Sequence, residues 1–138
     1  MSATPSAREV AERFLAAATG DGLADLYAED SVIELPFSPE GRPLRFEGRE
    51  GHRARFARAA GMLRHERTAN VTIHETTDPE VVVLEFDLHS VVIPTGRPVV
   101  RTYAMVMRVR DGLITHSRDY ADTLAAAELT RELRSLVP

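Results

Sequence analysis

Arg101 and Tyr103 lie two positions apart inside the otherwise largely apolar run Pro98–Arg110, and on an extended strand that spacing puts both on one face. A tyrosine there can donate a hydrogen bond to a ligand carbonyl or a developing oxyanion. An arginine there can anchor an acidic or carbonyl ligand at a pocket rim through its planar fork of donors. In the next extended run His116 and Asp119 are an odd number of positions apart, so they face opposite sides unless a bulge intervenes. His52, His65, His74 and His89 lack metal-ligand spacing and are expected on the surface. With no cysteine in the chain, thiolate nucleophiles, disulfides and cysteine-based zinc sites are excluded together. There is no Gly-rich phosphate loop, nucleotide fingerprint or Ser/His/Asp set. What remains is proton transfer and hydrogen bonding, with no cofactor and no metal expected.

The elements that must position these groups follow from periodicity. Ser6-Ala7-Arg8-Glu9 has capping-box spacing, and Val10, Phe14, Leu15 and Ala18 recur helically until Gly20 and Gly22. A short helical piece over Leu23–Ala28 buries Leu23, Leu26 and Tyr27. Ser31–Phe37 predicts a strand, stopped by Pro36, Pro39, Gly41 and Pro43. A second helix is predicted from Glu50 to Leu63, with Phe56, Ala59, Ala60 and Leu63 as its apolar stripe. From there the period becomes extended, giving strands Ala69–Thr76, Val81–Ile93, Pro98–Arg110 and Leu113–Tyr120. Asp78-Pro79, Thr95-Gly96 and Asp111-Gly112 supply the turns, and a last helix near Ala125–Leu136 carries Leu129, Leu133 and Leu136. Helices first and a meander of long strands after is an α+β order, one domain over residues 1–138.

Register decides which side chains look inward. If Thr95 and Gly96 form a two-residue turn, Ser90 pairs with Arg101, Leu88 with Tyr103 and Phe86 with Met105, all on one mostly apolar side that Met107 continues. The opposite side carries Glu85, Asp87 and His89 against Thr102, Ala104 and Val106. The Phe86/Leu88/Tyr103/Met105 side should therefore line the interior, and a one-residue slip would exchange the faces. Long strands coil as they twist, so helices can close the mouth of a concave sheet and leave a pocket beneath them.

Composition narrows the partners. A formal charge of −4 argues against nucleic acid, since phosphate binding needs a basic face. Arg49, Arg53, Arg55, Arg58, Arg64 and Arg67 spread around a helical cylinder and predict a solvated helix face. The start, Met1–Pro5, lacks signal-peptide pattern, and aliphatic runs such as Val81–Leu84 are too short to span a bilayer. The expectation is a cytoplasmic protein that binds a small hydrophobic molecule, with no membrane partner.

Several stretches together resemble the nuclear transport factor 2-like superfamily, and within it the SnoaL-like branch of polyketide-cyclase relatives. They are Leu26-Tyr27-Ala28-Glu29-Asp30, Pro36-Phe37, Gly41-Arg42-Pro43, Glu47-Gly48-Arg49-Glu50, Pro94-Thr95-Gly96-Arg97 and Asp111-Gly112 with Arg118-Asp119-Tyr120. The resemblance implies a cone-shaped fold with a strongly curved, mostly antiparallel sheet whose N-terminal helices close a pocket. It also implies a homodimer through the outer sheet face, and many unrelated chemistries. Pro94–Asp122 is especially similar to limonene epoxide hydrolase, where the matching aspartate, here Asp119, activates water. The other polar positions of that site fall on Ile33, Leu35, Phe86 and Leu88, or, with a one-residue bulge, partly on Glu85 and Asp87. Against ketosteroid isomerase the base becomes Leu35 and the oxyanion-holding aspartate Met105, so that machinery is missing. Phenazine-biosynthesis A/B proteins place a glutamate where Asp119 lies, and their helix histidine becomes Arg55.

Asp119 is thus the catalytic position the resemblance implies. A carboxylate in an apolar pocket has its charged form disfavoured, and its pKa moves toward the range where acid–base catalysis is effective. Three roles stay open for it: catalysis, ligand binding and a structural hydrogen bond. The expected site has Asp119 and Tyr103 as catalytic groups, with Arg101, Leu35, Phe37, Phe56, Phe86, Leu88, Met105, Phe14 and Tyr27 holding substrate and Met62 adding to the wall. The expected activity is that of a cyclase, isomerase or hydrolase; the alternatives are a non-catalytic binding protein or a dimeric interaction module. Glu34 lies opposite Ile33 and Leu35 on a plain strand and is not counted in the site.

Overall fold

A capping box starts the first helix: the Glu9 amide donates to the Ser6 hydroxyl at 3.1 Å and the Ser6 amide to the Glu9 carboxylate at 3.4 Å. In this computed structural model, which describes residues 3–137, helix α1 (Ala7–Ala18) buries Ala7, Val10, Ala11 and Phe14, one face at helical spacing. A 3₁₀ turn over Leu23–Leu26 leads into strand β1 (Tyr27–Leu35). The other elements are β2 (Leu44–Glu47), α2 (Arg49–Ala60), β3 (Leu63–Glu75), β4 (Val81–Val92), β5 (Arg97–Arg110), β6 (Leu113–Ala121) and α3 (Thr123–Ser135). The strands form one mixed sheet in the order β2-β1-β6-β5-β4-β3, antiparallel except where β1 runs parallel to β6. It is the α+β fold expected, with α1 and α2 packed against the sheet.

Burial along β4 alternates strictly: Val82, Leu84, Phe86, Leu88, Ser90 and Val92 are buried. Of these, Val82, Leu84, Phe86 and Leu88 join Met105, Met107, Val109 and Ile114 against Val10, Ala11 and Phe14 of α1 in the main core. Outside, Glu85 bonds His74 at 2.7 Å, and Asp87 accepts from Thr102 and Asn70, each at 2.7 Å. The inward side is therefore the Phe86/Leu88/Tyr103/Met105 side, although its pairing differs from expectation. The β4–β5 turn spans four residues, because Ile93 donates to the Met62 carbonyl at 2.9 Å and Pro94 has no N–H for the ladder. Val92 consequently pairs with Arg97, Leu88 with Arg101, Phe86 with Tyr103 and Leu84 with Met105. A two-residue displacement keeps each side chain on its own face.

At the β5–β6 hairpin the two-residue turn is as expected, with Asp111 and Gly112 both at positive φ, 53° and 77°. The ladder starts at Arg110–Leu113 and Val109–Ile114, then skips Thr115, so that Arg108 meets His116 and Met105 meets Asp119. The Thr115 hydroxyl donates to the Arg108 carbonyl at 3.4 Å across this bulge.

Several expectations need correction. The proline-rich stretch after β1 contains an edge strand, β2, paired with β1 from Leu35–Leu44 to Val32–Glu47. β3 begins at Leu63, earlier than expected, which puts Leu63 on the inner wall and Arg64 and Arg67 on a strand. Helix α2 therefore ends at Ala60 with Ala59 and Ala60 exposed, and its one fully buried side chain is His52. The helix is held by polar ties: Gly48 at φ 87° donates to the Ser31 carbonyl at 2.8 Å, and Arg53 reaches Asp25 at 2.9 Å. At the far end, Leu129 and Leu133 of α3 and Leu136, which caps it, pack on Leu63, Val92 and Val99, and Arg97 binds Glu132 at 2.7 Å.

Candidate active site

The bulge at Thr115 determines what β6 offers the interior. In an unbroken ladder from Arg110–Leu113, the inward residue Met105 would face Arg118; the skipped residue brings Asp119 there, with Ser117 opposite Met107. His116 goes to the outer face, where its Nε2 lies 3.4 Å from Glu34. The Ser117 hydroxyl, itself fully buried, donates a short hydrogen bond to the Asp119 carboxyl. Burial nevertheless dominates and raises the Asp119 pKa to about 6; the Ser117 bond and the positive charge of Arg55 pull the other way.

Arg55 reaches the interior because α2 crosses β1 through a buried polar chain. Its Nη2 donates to His52 Nδ1 at 2.6 Å, and His52 Nε2 lies 3.1 Å from the Ser31 hydroxyl. A guanidinium only donates, so Nδ1 is the acceptor and the proton sits on Nε2, facing Ser31. Burial, then Arg55, lowers the His52 pKa, in keeping with a neutral ring. The Arg55 guanidinium also stacks 3.9 Å from the Phe46 ring centroid. This network corrects the expectation that His52 is a surface residue; of the arginine run, Arg53, Arg58, Arg64 and Arg67 are exposed as expected, and Arg55 is the member that turns into the cavity.

A cavity of about 310 Å³ opens between the sheet and the two N-terminal helices. Phe14, Leu23, Phe56, Leu63, Phe86, Leu88 and Met105 make its apolar wall, and Arg55, His65, Arg101 and Tyr103 are its polar members. Tyr103 stacks on Phe86 at 5.4 Å with 19° between the rings, and the Arg101 guanidinium lies 5.7 Å from the Tyr103 ring centroid. Burial raises the Tyr103 pKa, Arg101 lowers it and Asp119 raises it, so at neutral pH the hydroxyl keeps its proton and can donate. Asp119 is not itself a wall residue; it communicates with the cavity through Arg55 and Tyr103, whose ionisations it influences.

The sequence-derived site is thus divided. Phe14, Phe56, Phe86, Leu88, Met105, Arg101 and Tyr103 line this one cavity. Tyr27 is 1% exposed and packs on His52 and Phe56, so it is core behind the wall. Leu35 instead lines a separate cleft of about 390 Å³ between β1, β2 and α3. Phe37 is 63% exposed, edge-on to Tyr120 at 5.5 Å, because the chain leaves the sheet after Leu35. Met62 is outside the cavity and contributes a backbone carbonyl to the β4–β5 turn. Sequence reasoning missed Arg55, Leu63, Ser117 and His65. His65, expected at the surface, is half-buried with Nδ1 2.7 Å from the Ser90 hydroxyl. With the strand expected to begin at Ala69, no sequence signal put His65 there; its pairing with Ser90, on the inward face of β4, is a feature of the fold. Among the described residues no three His, Asp or Glu side chains form a metal-binding group, and no helix is long and apolar enough to cross a membrane.

Comparison with known proteins bears on the same residues. The model of the SnoaL-like domain family matches residues 7–117. The uncharacterized PhzA/B-like protein PA3332 of Pseudomonas aeruginosa is 34% identical over 110 residues, covering 78% of this chain and 75% of that protein. A Bacillus subtilis structure proposed to be an isomerase superposes with a TM-score of 0.81 at 29% identity, covering 91% of this chain and 92% of that one. A Pseudomonas putida structure proposed to be a polyketide cyclase gives 0.77 at 19% identity, covering 90% and 97%.

Proposed function

Because this chain belongs to the SnoaL-like domain family and has the nuclear transport factor 2-like fold, we propose that it is an enzyme of that kind working by general acid–base catalysis without a cofactor. The substrate is a hydrophobic small molecule bound in the cavity under α1 and α2. The observation that carries this reading is the inward carboxyl of Asp119, whose pKa of about 6 lets it accept and return a proton near neutral pH. Above that pH the carboxylate takes a proton from a carbon acid, a hydroxyl or a water that reaches it between Arg55 and Tyr103. The neutral Tyr103 hydroxyl donates to the carbonyl oxygen on which negative charge grows, and the fixed Arg55 guanidinium steadies the ionised aspartate. Returning the proton at another atom completes an isomerisation or cyclisation; adding the activated water completes a hydrolysis.

The test needs no knowledge of the natural substrate. Cyclic and fused-ring ketones that raise the melting temperature are incubated with the protein in D2O, and exchange at the carbon next to the carbonyl is followed by NMR. Wild type should exchange bound ketones, and Asp119→Asn should lose roughly 10²–10⁴-fold in rate while retaining affinity. Binding by both proteins with no exchange by either favours a second reading, a non-catalytic carrier. The position of Asp119 behind the cavity wall is the observation on its side.

A further inference from the structure

Two guanidiniums enter the apolar cavity, Arg55 from α2 and Arg101 from β5, and among the described residues neither has a carboxylate within ion-pair distance. Asp119, the carboxyl whose charge acts on Arg55, is ionised above pH 6 and offsets only one of these two positive charges. The cavity is therefore electropositive in a chain whose formal charge is −4. Arg55 spends a donor on His52, but Arg101 differs: its Nε is buried with no hydrogen-bond partner, the one side-chain nitrogen or oxygen of that kind among the described residues. Buried polar groups are almost always paired, and an orphaned donor on a cation is a costly exception. In a site built only for packing, an apolar residue would serve better in its place.

We propose that the ligand of this cavity is a carboxylate, a hydrophobic ring acid whose anionic end is bound by Arg101. The geometry matches that class. The Nε and Nη edge of a guanidinium is the planar fork that takes both oxygens of a carboxylate, and Arg101 is a wall residue of the cavity whose Nε has no partner within the protein. Phe86 and Leu88 of β4 flank it with apolar surface, and His65 of β3, held by Ser90, lines the same cavity. Arg101 and Met105, the partner of Asp119, are four residues apart on β5, which is about 13 Å at strand rise. With the guanidinium leaning over Tyr103, an acid seated on Arg101 projects its ring along Phe86 and Tyr103 toward Asp119. Charge anchoring at one end and proton transfer at the other then use the two ends of one molecule. This inference rests on the acid–base reading for the second end only.

The probes are benzoate, cyclohexanecarboxylate and 2-naphthoate, each paired with its methyl ester, with binding to the full chain measured by calorimetry at pH 7.5. At least one acid should bind ten-fold or more tightly than its ester. Arg101→Met should erase the preference, and Arg101→Lys should keep part of it. Should Arg101→Met fail to fold, the wild-type Arg101 Nε–H resonance supplies the readout, moving on addition of acid and not of ester. Equal affinity of acid and ester throughout the series, no acid binding at millimolar concentration, or an acid preference that survives Arg101→Met overturns the proposal. Acid-selective binding without Asp119-dependent exchange leaves this inference standing and removes the enzyme; exchange of neutral ketones without acid preference does the reverse.

Discussion

Replacing Asp119 with asparagine should make the protein more stable at neutral pH, and the size of the gain follows from the carboxyl's surroundings. Its pKa stands near 6 in the fold against 3.8 for an unperturbed aspartate, with burial as the largest cause. Each unit is worth about 1.4 kcal/mol, so an ionised Asp119 costs the folded state up to roughly 3 kcal/mol. The sign is that of a raised carboxyl. The folded state binds more protons between pH 4 and 6, so stability falls as pH rises through that window and is level beyond it. The asparagine side chain would remove the charge and still offer an oxygen to the Ser117 hydroxyl. The expected gain over wild type is about 1–3 kcal/mol at pH 8, vanishing near pH 4, read from urea midpoints at constant ionic strength. A variant no more stable than wild type at pH 8, or a difference that is the same at pH 4 and pH 8, would refute the claim that burial sets this ionisation. An increase in stability paired with loss of turnover is the pattern of a residue kept for chemistry.

Other outcomes follow from the same contacts. Ser117→Ala removes the hydrogen bond that holds the Asp119 pKa down, so the acid limb of the pH–rate profile should move above 6. Tyr103→Phe keeps the stacking on Phe86 and deletes one donor; kcat should drop about 10²-fold with little change in stability or KM, and an unchanged kcat would exclude oxyanion stabilisation by Tyr103. Phe86→Ala opens the core between Phe14 and Tyr103 and should cost about 3–5 kcal/mol in denaturant unfolding, while a loss under 1 kcal/mol would mean that the cavity wall collapses freely.

Much of this was legible in the chain itself. The Ser6/Glu9 box, the strict alternation of Val82 to Val92 and the Asp111-Gly112 turn are local signals whose physics acts over a few residues. They set the element order, the α+β class and the inward face of β4 and β5. That face survived a wrong turn length at Ile93–Gly96 because an error of two residues returns every side chain to its own side. Phe37 and Leu35 were misplaced because Pro36 marks where β1 ends but not which way the chain turns beyond it.

The placement of the candidate groups was decided in three dimensions. Whether Asp119 or Arg118 faces the interior turns on one extra residue at Thr115, and a bulge has no signature in a run of alternating side chains. Arg55 and His52 sit on a helix whose expected apolar stripe shrinks to Phe56 in the fold, so docking on Ser31, Phe46 and Tyr27 decides that they turn inward. Residue types and spacing supplied the candidates, because hydrophobic period is a property of the chain. Burial, and with it the aspartate's pKa and the orphaned arginine nitrogen, belongs to the folded surroundings, because desolvation is imposed by neighbours far away in sequence.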